Sequence, residues 1–323
     1  MSNEQMWDKI ERYEDPAGLV TKFVFTKSDA IVETVLYRYP TYDERTVICH
    51  SVMSGCPMGC RFCGTGDYFV RNLTSEEIIS QVEYALAQTG IDPNTMKRLQ
   101  IMSMSMGEPA LCKNLEAAYD NFHAQWPKAA LLISSAGPDV NYTWIVNVAK
   151  RIPTVGLQFS VHESTNEARN ALIPFEHKLN LEQIATVGKR FYRETGRSPF
   201  FNYCAHDKNT SQADADRLAL LFDPLVWCAT VSVICEQNDG MPASNDYQKS
   251  LAVDFAEKLV NNSFDVRVFD PSGQDSVGGG CGQLWFVQKW MREHPDLTRP
   301  SCGNGLTKMH TPIIPIFPIH TQH

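Results

Sequence analysis

Between Arg45 and Val233, short runs rich in Val, Ile and Phe alternate with segments of helical period, the order of repeated βα units around a parallel sheet. The strand segments are RTVICHS, RLQIMSMS, AALLISS, PTVGLQFSVH, PFFNYCAH and WCATVSVIC. Between them lie TSEEIISQVEYALAQ, NLEAAYDNFHAQ, NYTWIVNVAKR, NLEQIATVGKRFYRE and SQADADRLALLFD, each with apolar residues recurring on one helical face. Thr74 followed by Glu77 reads as a capping box opening the first helix. Such units predict an α/β fold, a partial (βα)6 TIM-like barrel, whose chemistry sits on loops at the carboxyl ends of the strands.

Around this core, SDAIVETVLYRYPTYDE reads as a hairpin-like strand region, and YQKSLAVDFAEKLVNN, FDVRVFD and LWFVQKWMREH read as helix, strand and helix, with the glycine-rich SVGGGCGQ before the last. The tail TPIIPIFPIHTQH is punctuated by proline and predicted to be extended. No linker splits the chain. The expected organisation is an N-terminal extension over 1–29, one core over 30–295 and a C-terminal tail over 296–323. At 323 residues and 43% hydrophobic composition, the chain is long enough to form one large core. The opening MSNEQMWDKIERYEDPAG has no basic segment leading into an apolar run, and no eighteen-residue apolar stretch follows. A cytoplasmic protein without a membrane span is expected. Ten cysteines in such a chain point to thiol or metal chemistry in a reducing compartment rather than to a disulfide scaffold. A formal charge of -8 argues against nucleic-acid binding by a basic surface as a whole, and leaves local basic patches open.

The stretch CPMGCRFCGTG places Cys56, Cys60 and Cys63 on a loop after the first predicted strand, among Gly55, Gly59, Gly64 and Gly66. Three thiolates fill three iron sites of a four-iron, four-sulfur cluster and leave one iron open, whereas structural zinc takes a closed tetrahedral set. A zinc knuckle completed by a distant Cys or His is the competing reading. SMGEP, with Gly107 and Glu108, follows the second strand. Ser134 ends the third strand, and Ser160 and His162 end the fourth, so these polar groups reach one end of the barrel. Each alone is an ordinary turn or strand end.

The cysteine spacing, with Phe62 before the last cysteine, resembles the radical S-adenosylmethionine superfamily. Cys49 seven residues before Cys56, RNLTSEEIISQV from Arg71 to Val82, the Gly-Glu-Pro motif, the Ser-x-His strand end and CGQL from Cys281 to Leu284 resemble the RlmN/Cfr-like class A methylases. The resemblance spans roughly Ala30 to Trp290. It implies a barrel of the radical S-adenosylmethionine type, with a four-iron, four-sulfur cluster on Cys56, Cys60 and Cys63. It further implies S-adenosylmethionine bound by Gly107, Glu108, Ser134, Ser160, Val161, His162 and Asn238. The implied activity is methylation of an adenine carbon, C2 or C8, in ribosomal or transfer RNA, with two S-adenosylmethionine molecules consumed. In that scheme Cys281 takes a methyl group, a deoxyadenosyl radical removes hydrogen from it, and the carbon joins the ring. Cys49 then resolves the adduct through a transient disulfide, and Glu33 in IVETV accepts the proton. RNA and an electron donor such as flavodoxin or ferredoxin are the implied partners.

Members of that family carry an N-terminal RNA-binding accessory domain and a strongly basic helix after CGQL; about thirty residues precede the core here, and LWFVQKWMREHPDL is mixed in charge. A radical methylase of a nucleotide, small molecule or peptide is therefore a second reading, and a non-catalytic iron-sulfur or zinc module a third. Cys112, Cys204, Cys228, Cys235 and Cys302 have no assigned role, and a metal pair of Cys302 with His310 lacks support in the sequence.

Overall fold

The structure, a computed structural model, describes residues 6–66, 68–234, 243–270, 274–280, 283–284 and 286–300. Three antiparallel strands, β1 (Lys9–Glu14), β2 (Val20–Lys27) and β3 (Ala30–Arg38), lead into β4 (Thr46–His50), which pairs antiparallel with β3. An excursion follows, made of β5 (Met53–Gly55), the cysteine loop and β6 (Tyr68–Asn72). From β4 the sheet continues in parallel through β7 (Leu99–Ser103), β8 (Ala130–Ser135), β9 (Val155–Ser160), β10 (Phe200–Ala205), β11 (Cys228–Val233) and β12 (Asp265–Phe269). The six predicted strands thus stand in the order of the chain, and FDVRVFD adds a seventh. A two-residue strand, β13 (Arg299–Pro300), pairs with β6.

Helices alternate with these strands: α1 (Ser75–Ala87), α2 (Leu115–Gln125), α3 (Thr143–Arg151), α4 (Asn166–Leu172), α5 (Leu181–Thr195), α6 (Gln212–Leu221) and α7 (Asp246–Asn261), then the short α8 (Gln274–Val277) and α9 (Phe286–Glu293). The Thr74–Glu77 capping box forms as expected, and Asn180–Gln183, Ser211–Asp214 and Asn245–Gln248 close the same reciprocal pairs at α5, α6 and α7. The helices cover one face of the sheet. Ile48, Ile101, Ile133, Phe159, Phe201 and Val231 of successive strands join the helical apolar faces in one large core.

The residues between them in sequence point the other way. Cys49, Ser134, Ser160, Asn202, Ser232 and Phe269 all line one cavity, so the sheet curls around it with period-two alternation on every strand. Tyr37 of β3 meets Phe269 of β12 edge to face, with ring centroids 6.4 Å apart, which brings the two sides of the curl together. The barrel is open-sheeted, as predicted. Strands β1 and β2 lie within residues 9–27, before the expected start of the core, and they extend the same sheet. β2 shows no polar–apolar alternation because residues Val20 to Phe25 are buried on both faces, Thr21 and Lys22 among them. Among the described residues no helix is long and apolar enough to cross a membrane.

Candidate active site

The cysteine loop is fixed from both ends. Gly55 takes φ +75° at the close of β5, and Cys56 N–H donates to the Tyr68 carbonyl at 2.7 Å. Inside the loop, Cys63 N–H donates to the Cys60 carbonyl at 3.2 Å and Gly66 N–H to the Cys63 carbonyl at 3.0 Å. A Cβ on Gly66 would overlap the Cys60 carbonyl, and one on Gly64 would come within 2.5 Å of the Leu284 carbonyl. Only glycine permits this wrap, and it also lets the loop touch the segment that follows position 281.

Cys56, Cys60 and Cys63 are half-buried and face the same cavity, a space of about 1050 Å³ that includes its open mouth. Burial pushes the Cys56 thiol well up, and the neighbouring Cys60 and Cys63 push it further. Three such thiols can be thiolates together only around a compensating cation, and a four-iron cluster accepts three while keeping one site open. The donor set and the glycine cradle therefore fit the expected cluster.

Gly107 takes φ +100°, and a Cβ there would come within 2.6 Å of the Met53 side chain. That turn aims Glu108 inward. Its carboxylate accepts from Ala110 N–H at 2.9 Å and Ala136 N–H at 2.7 Å, and burial lifts its pKa to about 7. Such a carboxyl is poised to receive a cation, because an arriving ammonium restores the charge that burial disfavours. Ser134 and Ser160 line the cavity beside it, with Gln158 donating to Ser134 Oγ at 3.1 Å. His162 has φ +62° and accepts the Cys204 N–H on Nδ1 at 3.1 Å, which leaves its proton on Nε2. Burial pushes His162 down to about 3, so a neutral donor lines the cavity, and its ring packs edge-on against Phe62 at 4.6 Å. Val161 points its side chain into the helix-side core, away from the cavity.

Arg169, on α4, was not singled out by the sequence. Its buried guanidinium donates to the carbonyls of Ala136 at 2.5 Å, Ser160 at 3.2 Å and Leu179 at 3.0 Å, and so ties together the ends of β8 and β9 that carry cavity residues. Tyr37, Asn202, Ser232 and Phe269 also line the cavity without having been predicted. The inward parity of each strand, read from any one known inward residue, is the signal that finds them.

Cys49 lies on β4 in the cavity wall, where burial pushes its thiol up to about 12 and the adjacent Tyr37 hydroxyl pulls it back. The same hydroxyl donates to the Gly279 carbonyl. Gly278, Gly279, Gly280 and Leu284 line the cavity, flanking position 281 on both sides. Cys281 and Asn238 lie outside the described residues, as do Cys235, Cys302 and His310. Glu33 does not line the cavity. It is fully buried, with Oε2 2.5 Å from Lys22 Nζ and Oε1 accepting Val287 N–H at 3.1 Å, while Lys22 also donates to the Gln283 carbonyl at 2.9 Å. Of the unassigned cysteines, Cys112 and Cys204 are buried core residues and Cys228 is half-buried.

No protein-family model matches the chain. The dual-specificity RNA methyltransferase RlmN of Syntrophotalea carbinolica is 32% identical over 284 residues, 85% of this chain and 72% of that protein. The probable dual-specificity RNA methyltransferase RlmN of Thermus thermophilus is 30% identical over 282 residues, 85% of this chain and 76% of that protein. Among solved structures, a radical SAM methyltransferase from Sphaerobacter thermophilus superposes with a TM-score of 0.71 at 24% identity, over 85% of this chain and 80% of that one, which bears out the partial-barrel fold. The chain belongs to the RlmN family and is a methyltransferase.

Proposed function

We propose that this methyltransferase acts on an adenine carbon, C2 or C8, in ribosomal or transfer RNA, through a methyl-bearing cysteine and a resolving cysteine. One observation carries the reading: Cys49 lines the same cavity as the three cluster cysteines, and the residues on either side of position 281 line it too. The relatives named above are RNA methyltransferases, and they supply the substrate class.

In this reading Cys56, Cys60 and Cys63 hold the cluster, and Glu108, Ser134, Ser160 and His162 hold the amino and ribose ends of S-adenosylmethionine. Gly107 and Asn238 complete that set, with Val161 contributing backbone only. Bound and reduced there, the pair supplies a deoxyadenosyl radical that removes hydrogen. Cys281 takes a methyl group from a donor S-adenosylmethionine, its S–C bond forming as the sulfonium S–C bond breaks. With the hydrogen removed, the carbon would add to the electrophilic ring, the adduct returning its unpaired electron to the oxidised cluster and its ring proton to a base, so that Cys281 tethers the base; the freed carbon takes up a proton when the sulfur leaves. Cys49, as thiolate, then attacks the Cys281 sulfur; the disulfide forms while the bond from sulfur to the tethered carbon breaks. To stabilise a Cys49 thiolate, the Tyr37 hydroxyl must turn its one proton from the Gly279 carbonyl to the sulfur. Glu33 is the proton acceptor in this scheme, and to serve it must give up the Val287 N–H and share its proton traffic with Lys22.

The test is product analysis. Anaerobically reconstituted protein, given transfer and ribosomal RNA with deuterated-methyl S-adenosylmethionine, should yield labelled methyladenosine on nuclease digestion. Label found only in a free nucleotide or a peptide would move the substrate to the second reading.

A further inference from the structure

Strand register fixes which side chains at the amino-terminal end of the barrel point inward. On β4, Val47 and Cys49 face the cavity side, so Arg45 does as well. Met102 of β7 packs on that side, and Arg98 shares its parity. On β12, Phe269 lines the cavity, which puts Arg267 on the same face two residues earlier. Direct contacts agree. Arg45 donates to the inward-facing Gln100 at 2.8 Å and lies 4.7 Å from the centre of the Tyr39 ring. Arg267 lies 4.7 Å from the centre of the Phe200 ring, and Phe200 shares the parity of the cavity residue Asn202.

Arg45 ends a run of aromatic contacts. Tyr39 stacks on Tyr37 with centroids 6.2 Å apart, Tyr37 meets Phe269, and both Tyr37 and Phe269 flank Cys49 in the cavity. Among the described residues none of the three arginines makes an ion pair with a carboxylate. Arg98 and Arg267 are exposed. Burial and the two neighbouring guanidinium groups hold Arg45 below the ordinary arginine range. Asp265, on the same face of β12, supplies one negative charge against three positive ones. In a chain of net charge -8, three guanidinium groups gathered at one end of the barrel without a carboxylate partner are costly unless an anion joins them.

We propose that Arg45, Arg98 and Arg267 form the phosphate grip of the substrate, holding the phosphates that flank the target nucleotide while its base runs along Tyr39, Tyr37 and Phe269 toward Cys49. The inference rests on the RNA reading above and deepens it. Guanidinium groups bind phosphate in a fixed fork, and unpaired RNA bases stack on aromatic faces. This is how an acidic chain meets a polyanion: through one local arginine cluster rather than a basic surface.

The experiment is binding of a fluorescent RNA stem-loop with an unpaired adenosine, followed by anisotropy across salt concentrations. Wild type is compared with Arg98→Gln, Arg267→Gln and the triple Arg45→Gln/Arg98→Gln/Arg267→Gln, with thermal unfolding measured for each. The grip predicts weaker binding and a logarithmic salt slope smaller by roughly 2 in the triple variant, at about 0.7 per phosphate contact. Arg98→Lys and Arg267→Lys should keep the wild-type slope. If the exposed single variants and the folded triple variant bind with wild-type affinity and slope, the grip is wrong. A parallel arm uses adenosine monophosphate. Wild type that binds the nucleotide but not RNA, with the nucleotide lost in the triple variant, would keep the grip and remove the RNA reading.

Discussion

At the scale of single residues, two buried titrating sites decide how the fold responds to mutation and to acid. Lys22 and Glu33 are fully buried and paired, with burial lowering the lysine's pKa and the carboxylate opposing that shift. Removing one partner leaves the other charged and unpaired, so Lys22→Met should cost about 3–5 kcal/mol in urea unfolding, whereas Lys22→Met/Glu33→Leu should cost far less. Equal losses in the two variants would mean that packing, not charge, governs the site. His50 is fully buried between Ser103 Oγ at 3.0 Å and the Ser51 carbonyl at 3.2 Å, and burial pushes it down to about 4 from 6.5. The unfolded chain takes a proton below about 6.5 that the folded chain refuses until about 4. Stability is therefore whole above that window and falls with pH inside it, at up to about 1.4 kcal/mol per pH unit. His50→Gln should flatten the slope of unfolding free energy between about pH 6.5 and about pH 4.5, and an unchanged slope would place the proton elsewhere.

At the scale of elements, the close approach of α5 to Trp227, just before β11, sets a test in which two effects oppose. Gly188 lies inside α5 against Trp227, and a Cβ there would overlap the buried indole. Alanine improves helix propensity by about 1 kcal/mol, yet the overlap in a packed core costs about 1–3 kcal/mol. Gly188→Ala should therefore lower the unfolding temperature; a rise would show that the indole can move aside. The same elements show what the sequence makes legible. The seven parallel strands and the long helices announce themselves through apolar runs, helical period and capping residues such as Thr74 and Asn180. α4 does not, because NEARNAL is too short to show a period, and with it Arg169 escapes notice. β2 escapes because burial on both faces removes alternation and admits Lys22. The cluster loop, Glu108, Ser134, Ser160 and His162 are readable from spacing and strand ends, whereas Tyr37, Asn202, Ser232 and Phe269 depend on which face of a strand turns inward, a property of the curled sheet as a whole. Glu33 is legible as a residue but not as a buried partner of Lys22, since that pairing follows from the β2–β3 register.

At the scale of the whole molecule, one curled sheet divides the work between its faces. Its helix side is an apolar core, and its inner side runs from the cysteine loop, past Cys49, to the arginines at the amino-terminal end. The central proposal is that Cys281 carries the transferred carbon and that Cys49, in that inner space, releases it. The most direct measurement is mass spectrometry of Cys49→Ala after anaerobic turnover with RNA. The account predicts a covalent adduct on the peptide containing Cys281 that ribonuclease trims to a single nucleotide. A Cys281 that stays an unmodified thiol, with no adduct anywhere on the chain, would contradict it.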